Sequence, residues 1–183
     1  MVLVSLEKII TQRKRDKAVA RFYDAYKAQL KKRYADAVRL YHESIDCYPT
    51  AEAYTFLGWT YSFMGELETA IDHCRRAIDL DPEFGNSYND IGAYLIAKGD
   101  FDNALPYLEQ AIVAKRYNAY HFAHFNIARV YEHRGDLLNA YRHYRAALDL
   151  EPRYGIAHKG LQRIGLVING ARRTPLPHKV QNN

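Results

Sequence analysis

The sequence predicts an all-α fold made of stacked pairs of antiparallel helices, and three observations lead to this expectation. The 183 residues contain an internal repeat, in which Gly65 and Gly99 lie thirty-four residues apart and Gly135 follows thirty-six residues later. Apolar residues within each repeat recur with the periodicity of an amphipathic helix. Small residues occupy corresponding positions, which allows neighbouring helices to approach closely. A helical hairpin of this length cannot bury its apolar face alone, so the repeats are expected to stack into a solenoid.

Three segments carry the repeat in full. They read AEAYTFLGWTYSFMGELETAIDHCRRAIDLDP (51–82), GNSYNDIGAYLIAKGDFDNALPYLEQAIVAKR (85–116) and HFAHFNIARVYEHRGDLLNAYRHYRAALDLEP (121–152). In the first segment the recurring positions are Tyr54, Leu57, Gly58, Tyr61, Gly65, Ala70, Cys74, Ala77 and Pro82. This pattern resembles that of the tetratricopeptide repeat (TPR) family, and the resemblance implies a right-handed α-α superhelix. Apolar residues that share one face after Pro152 predict a C-terminal capping helix.

The chain divides into parts in the following order. A short amphipathic segment precedes a degenerate repeat, three full repeats and a capping helix follow, and a basic tail with two prolines is expected to be disordered. The predicted bounds are 1–14, 15–50, 51–84, 85–120, 121–153, 154–170 and 171–183. The boundary between the 85–120 and 121–153 repeats, which follows Lys115, lacks the stopping proline and holds two extra residues. We therefore expect either a longer turn there or a helix that overruns.

The first helix of the degenerate repeat admits two registers. An ungapped alignment would bury Arg21 and Asp24, which is costly without partners. Two extra residues in the turn at 31–33 instead predict a core stripe, and we adopt this register. The core stripe would be Val19, Phe22, Tyr23, Tyr26 and Leu30, and the opposite stripe would be Lys17, Arg21, Asp24 and Ala28.

The first helix of the 51–84 repeat carries two apolar stripes. At about 100° per residue, Tyr54, Leu57 and Tyr61 share the side that the repeat assigns to the core. The resemblance implies that first helices line a concave groove, so the opposite stripe is predicted to face a partner. The predicted groove residues are Phe56, Trp59, Phe63, Asn86, Asn89, Asp90, Phe122, Phe125, Asn126 and Arg129. The alternative is that Trp59 and Phe63 pack against neighbouring helices or beneath residues 1–14.

The function expected is that of a non-catalytic adaptor, which binds a peptide or partner protein in this groove. Related chaperone adaptors hold a C-terminal carboxylate with Lys, Asn and Arg side chains. The corresponding positions here are Thr55, Trp59, Asp90, Phe122 and Asn126, which lack the positive charges, so that mode is not expected.

Two alternatives to groove binding stay open. The first is a self-associating scaffold or homodimer, formed through residues 1–14 or the open end of the solenoid. The second is binding of nucleic acid or an anionic surface through the basic first repeat, since residues 11–40 hold ten Lys/Arg against three Asp/Glu. Residues 41–152 have a balance of −8 (nine basic, seventeen acidic), so the chain lacks the uniformly basic character of many nucleic-acid binders.

Several other classes find no support in the sequence. No phosphate-binding loop, metalloprotease motif or nucleophile elbow occurs, so neither catalysis nor a cofactor is predicted. His121 and His124 are spaced for a metal but lack a nearby carboxylate or cysteine, so no metal site is predicted. The N-terminus lacks the basic start of a secretory signal, and Cys47 and Cys74 form no paired motif. We therefore expect a cytoplasmic protein without disulfides.

Overall fold

The structure is a computed structural model that describes residues 2–173, with side chains from residue 6 to residue 168. This part of the chain is all-α, apart from one isolated backbone bridge, and the predicted fold class is confirmed. The helices are α1 (Val2–Leu30), α2 (Tyr34–Cys47), α3 (Ala51–Phe63), α4 (Leu67–Leu80), α5 (Gly85–Ala97), α6 (Phe101–Val113), α7 (Tyr120–His133), α8 (Leu137–Leu150) and α9 (Gly155–Arg173). They form two compact units, an N-terminal unit with α1 to α6 and a C-terminal unit with α7 to α9.

The turns inside the hairpins explain why the helices end where they do. Gly65, Gly99 and Gly135 have φ angles of 83°, 82° and 74°, in the left-handed region that glycine adopts without steric cost. The next helix then begins with a polar cap in two of the three cases. Asp100 accepts a hydrogen bond from the backbone N–H of Asn103, and Asp136 accepts one from that of Asn139.

The core of the N-terminal unit alternates alanines with large side chains. Ala25, Ala28 and Ala37 are fully buried with Tyr41 and Leu57. The alanines let α1 approach α2, and each of the larger side chains contributes about 2 kcal/mol of hydrophobic stabilisation through its burial. The phenol of Tyr41 donates a hydrogen bond of 2.8 Å to the amide oxygen of Gln29, so burial leaves its polar end satisfied.

The register adopted for the degenerate repeat is wrong. Three residues join α1 to α2, as three join α3 to α4, so the turn has no insertion. Val19, Tyr23 and Leu30, predicted to be core residues, are 53%, 57% and 63% exposed. Ala28, predicted for the groove, is fully buried.

The ungapped register does not bury the charged side chains of Arg21 and Asp24, although this was the reason for rejecting it. Arg21 lies at the edge of the α1–α2 contact, where its guanidinium pairs with Glu43 at 3.2 Å. Asp24 stays exposed, with its carboxylate 3.7 Å from the Lys27 amine. Neither charge is removed from water, so the burial penalty does not arise.

The two ends of the described chain also differ from expectation. Helix α1 runs without a break from Val2 to Leu30, so residues 2–14 continue the first helix of the degenerate repeat. Residues 6–14 are exposed along this helix. Helix α9 continues past the predicted end at residue 170 to Arg173. The rest of the predicted tail, residues 174–183, lies outside the described residues.

The irregular boundary after α6 is a longer turn rather than a helix overrun. Helix α6 ends at Val113, and an extended segment then runs beside the turn that precedes α5. The Arg116 N–H donates to the Glu83 carbonyl (2.8 Å), and the Gly85 N–H donates to the Arg116 carbonyl (3.3 Å). The Arg116 side chain also pairs with Asp81 and Glu52. These bonds hold the segment against the N-terminal unit.

The C-terminal unit has its own core, which α9 covers as a capping helix. Tyr144, Ala157 and Ile164 are almost fully buried between α8 and α9. The phenol of Tyr144 donates to Glu132 (2.7 Å), and the Arg163 guanidinium of α9 holds the same carboxylate. The hydrogen bonds from Arg163 are the main reason why the pKa of Glu132 lies below its ordinary value.

Candidate binding site

A row of aromatic rings runs along one face of α3 in the N-terminal unit. The ring centroids of Phe56 and Trp59 are 5.6 Å apart, and those of Trp59 and Phe63 are 5.3 Å apart. Phe63 in turn stacks on Tyr34 at the start of α2, with centroids 5.5 Å apart. The row exists because residues 56, 59 and 63 repeat at helical spacing on the side opposite to the core stripe.

The members of this row differ in burial. Phe56 is partly buried and packs edge-on against Phe22 (5.1 Å) and Tyr26 (5.6 Å) of α1. Packing against a neighbouring helix therefore accounts for Phe56. Trp59 and Phe63 keep 38% and 49% of their surface exposed. Residues 6–14 are themselves exposed, so they do not bury these two rings.

Helix α1 adds apolar residues that were predicted to lie in the core. In the observed register Val19, Tyr23 and Leu30 correspond to positions 52, 56 and 63 of the next repeat, which lie on the same stripe as Trp59. We call the five residues Val19, Tyr23, Leu30, Trp59 and Phe63 the apolar face. All five are exposed, and a cleft of ≈ 340 Å³ lies at the end of the apolar face that Val19 and Tyr23 form. An ungapped count of the turn would have found these residues.

Helix α5 lies beside α3 and brings an acidic residue to the same level as Trp59. The hydroxyls of Thr55 and Ser87 are 2.6 Å apart near the starts of the two helices. Near the ends of the two helices, Ser62 of α3 lies close to Tyr94 of α5. Burial raises the pKa of the Tyr94 phenol, and the nearby Ser62 hydroxyl partly opposes this rise. Asp90 and Trp59 each lie between the two contacts.

The environment of Asp90 is unusual for a carboxylate. The amide of Asn89 donates to its Oδ1 at 3.3 Å, and Asn89 itself is buried, with 8% exposure. Burial raises the pKa of Asp90 to about 7, and the hydrogen bond from Asn89 only partly opposes the shift. Among the residues that the structure describes, no Lys or Arg forms an ion pair with Asp90. Asn86, one turn earlier on α5, is partly exposed.

The other predicted groove residues belong to the C-terminal unit. Phe122 is 42% exposed and packs edge-on against Tyr154 at 5.5 Å. Phe125 packs more deeply, and the Arg129 guanidinium lies 5.8 Å from its ring centroid. Arg129 also donates to the Asn126 side chain at 3.3 Å, and Asn126 is only 6% exposed. Phe122 is therefore the predicted residue that presents most surface in this unit, and Phe125 and Arg129 are both partly exposed.

Two histidines of the C-terminal unit, His124 and His143, lie in an aromatic stack. The Nδ1 atoms of His124 and His143 are 3.1 Å apart, and Tyr131 stacks on His143. Burial lowers the pKa of both imidazoles, that of His143 to about 4. His121 lies elsewhere, against Phe122 and Tyr154. The described residues contain no cluster of three or more His, Cys, Asp or Glu side chains arranged for a metal ion.

Ion pairs partly neutralise the basic first repeat. Arg21 and Arg39 both pair with Glu43, Lys27 pairs with Asp24, and Arg33 lies 3.9 Å from Asp36. These exposed pairs are individually weak, but each places a carboxylate beside a basic side chain of this repeat. In the described part of the chain, no helix combines the length and the apolar character that crossing a membrane requires.

Comparison with known proteins agrees with this architecture. Models of the tetratricopeptide repeat match residues 51–84, 85–116 and 121–154. A curated relative, small glutamine-rich tetratricopeptide repeat-containing protein 2 of Mycosarcoma maydis, is 28% identical over 87 residues. These residues are 47% of this chain and 25% of the relative, so the match spans about a quarter of the relative's length.

Two solved structures show the same fold at low sequence identity. PilF of Pseudomonas aeruginosa superimposes with a TM-score of 0.80 at 14% identity, over 86% of this chain and 71% of that one. The first TPR domain of Spaghetti (RPAP3), solved with the HSP90 peptide SRMEEVD, has a TM-score of 0.62 at 22% identity, over 66% of this chain and 96% of that one. The three family matches together cover more than half of the residues, and the chain belongs to the tetratricopeptide repeat family.

Proposed function

We propose that this chain is a non-catalytic protein-interaction module that binds a peptide segment of a partner protein on the apolar face of its N-terminal unit. The observation that carries the proposal is the exposure of Trp59 and Phe63, side by side on α3. The repeat needs bulky residues at Tyr54 and Tyr61 for packing, and it makes no such demand at positions 59 and 63. The contacts of Phe63 with Tyr34 and of Trp59 with Phe56 leave a large part of both rings exposed, so packing alone does not account for them.

The energetics favour these rings as anchors for a partner. Each large aromatic side chain in a water-excluding contact often contributes about 2 kcal/mol or more to the free energy of binding. Contiguous exposed apolar surface on a folded protein typically marks an interaction site. Val19, Tyr23 and Leu30 enlarge the surface around the two rings, so a peptide with one or two large apolar side chains matches it.

The RPAP3 domain, which was solved with a bound peptide, supports a peptide as the ligand of this chain. It does not support an acidic peptide. RPAP3 holds an HSP90 peptide that ends in Glu-Glu-Val-Asp. Here the corresponding surface of the N-terminal unit presents Trp59 and the Asp90 carboxylate. No Lys or Arg among the described residues pairs with Asp90. An acidic C-terminal peptide is therefore not the expected partner.

A role as a cytoplasmic adaptor is part of the same proposal. Cys47 and Cys74 are both free thiols, which suits a reducing compartment. An adaptor must bind two partners, so this role requires a second binding surface elsewhere on the chain. The candidates for that second contact are Phe122 and Arg129 of the C-terminal unit, two of the predicted groove residues.

Peptide selection tests the proposal. A dodecapeptide library displayed on phage is panned on the full chain, and the selected peptides are synthesised with a fluorescent label. Binding is then measured by anisotropy on the wild type and on a Trp59→Ala/Phe63→Ala variant. We expect the variant to lose affinity by about tenfold or more, the loss typical of removing an aromatic anchor.

The matched control removes exposed apolar side chains elsewhere in the same unit. Leu80 of α4 and Val113 of α6 are 49% and 69% exposed, so a Leu80→Ala/Val113→Ala variant loses similar surface. This variant is expected to bind as the wild type does. Equal binding to all three proteins, or a selection that yields no peptide, would contradict the proposal.

A second candidate function is self-association through the free part of α1. Leu6, Ile9 and Ile10 are 52%, 47% and 46% exposed on a helix that continues beyond its contacts with α2. Two copies could bury these side chains against each other. Sedimentation at several concentrations, with and without residues 1–14, tests this candidate, and an unchanged monomer at every concentration excludes it.

A further inference from the structure

We propose that the segment bound on the apolar face carries a Lys or Arg next to its apolar anchor, and that this cation pairs with Asp90. The inference rests on the proposed function and names the chemistry of the partner. It is carried by the position of Asp90 on α5, which packs beside the helix that carries Trp59, and by the absence of a cation for its carboxylate among the described residues. Its test separates the two proposals.

The position of Asp90 makes it reachable from the apolar face. On α5 it occupies the place that Phe56 holds one repeat earlier, on the groove stripe. The contacts Thr55–Ser87 and Ser62–Tyr94 place α3 and α5 side by side and parallel, with Trp59 and Asp90 between them. Asp90 as a residue is only partly buried. A side chain next to an anchor on Trp59 can therefore meet the carboxylate.

The carboxylate lacks the partner that its burial calls for. A partly buried carboxylate is stable when it is paired with a cation or fully hydrogen-bonded. Asp90 receives one amide hydrogen bond of 3.3 Å from Asn89. By contrast Glu52, on the corresponding stripe of α3, is already paired with Arg116. Asp90 is thus the acid of this surface that a partner's cation would satisfy.

The surroundings of Asp90 contain no charge that could replace the partner. The titratable groups that interact with it are the Cys74 thiol of α4 and the Tyr94 phenol of α5. Burial raises the pKa of both groups, so both are neutral near pH 7. No charged group of α3 or α6, in the described part of the chain, shifts the pKa of Asp90.

Binding of a cation should consequently depend on pH with a defined sign. The cation pairs with the ionised carboxylate, whereas burial raises the pKa of Asp90 to about 7 in the free protein. At pH 6 about one molecule in ten has the ionised form, and at pH 8 about nine in ten have it. Affinity for a cationic peptide is therefore expected to rise by about tenfold from pH 6 to pH 8.

The test uses peptides selected on the full chain that require Trp59 and Phe63 for binding. We expect these peptides to be enriched in Lys or Arg near their apolar anchor. One such peptide is compared with its Lys→norleucine form, which keeps the aliphatic chain and removes the charge. Each form is titrated against the wild type, Asp90→Asn and the control Glu109→Gln, which removes an acid from the exposed side of α6.

A double-mutant cycle decides the outcome. For the Lys peptide, Asp90→Asn is expected to cost about tenfold or more in affinity and to abolish the rise with pH, whereas Glu109→Gln leaves both unchanged. For the norleucine peptide, Asp90→Asn is expected to have little effect. Peptides that need Trp59 and Phe63 but show no basic enrichment and no response to Asp90→Asn would overturn this inference and leave the proposed function standing. If no selected peptide needs the two aromatic residues, both proposals fail.

Discussion

Lys32 and Gly65 hold the same position in successive hairpins, two residues after the first helix ends. Their φ angles are 58° and 83°. The backbone hydrogen bonds around them correspond as well, because Arg33 N–H donates to Ala28 O as Glu66 N–H donates to Tyr61 O. A lysine thus occupies a turn position that glycine fills in all three full repeats.

Replacement of this lysine by glycine should stabilise the protein. A residue with a Cβ pays about 1 kcal/mol in the left-handed conformation, and Lys32→Gly removes this cost. We expect a gain of roughly 0.5–1 kcal/mol in the free energy of unfolding, measured by urea denaturation. Lys31→Gly is the control: Lys31 lacks a positive φ, so the same exchange there should give no gain. A loss of stability in Lys32→Gly would contradict the assigned turn.

This turn also explains where sequence-based prediction succeeded and where it did not. The three full repeats were predictable because Gly65, Gly99 and Gly135 mark their turns and small residues fix the helix contacts. The degenerate repeat lacks the turn glycine, so the count across Lys32 was open. The expected cost of burying Arg21 and Asp24 led to the wrong register. Both residues lie at the edge of the helix contact, and the sequence pattern cannot distinguish such an edge from the core.

The capping helix offers a matched pair of glycine substitutions. A Cβ on Gly160 would lie 2.5 Å from the ring of Tyr144, whereas a Cβ on Gly165 would meet nothing within 4 Å. Gly160→Ala is therefore expected to destabilise the chain by about 1–3 kcal/mol through overpacking. Gly165→Ala should instead be neutral or stabilise it by up to about 1 kcal/mol, since alanine favours the helix. Thermal unfolding of both variants checks the pair, and equal effects would contradict the close contact of α9 with α8.

The stability of the N-terminal unit should depend on pH through Asp90. Burial raises its pKa to about 7 in the folded chain, against about 3.9 when unfolded. The unpaired charge therefore lowers stability progressively from about pH 4 to pH 7, and the loss is complete above pH 7. Asp90→Asn removes this cost. We expect it to stabilise the protein by about 1–2 kcal/mol at pH 8, below the limit of about 4 kcal/mol that the full shift implies.

The measurement is urea unfolding of the wild type and Asp90→Asn at pH 5 and pH 8. The gain from the substitution should be larger at pH 8 than at pH 5, because at the lower pH the wild-type carboxyl is largely protonated in the folded state. Asp72→Asn, on the exposed face of α4, is the control and should show little difference between the two pH values. A gain for Asp90→Asn that is independent of pH would contradict the raised pKa.

The candidate site was partly predictable for a related reason. Periodicity alone separated the stripe of Trp59 and Phe63 from the core stripe. Periodicity could not show that Phe56 packs against Phe22 and Tyr26, because that contact depends on the register of α1. It also could not show that Asn126 is nearly buried, since a polar residue on a groove stripe is usually assumed to face water.

The most direct test of the account uses the fluorescence of Trp59, the single tryptophan of the chain. The indole is 38% exposed in the free protein, so acrylamide should quench its emission appreciably. When a selected, tryptophan-free peptide saturates the protein, as judged by anisotropy, burial of the indole should shift its emission to shorter wavelength and reduce the quenching. Emission and quenching that stay unchanged at saturation would show that the peptide binds elsewhere, and would contradict the assignment of the apolar face as the binding site.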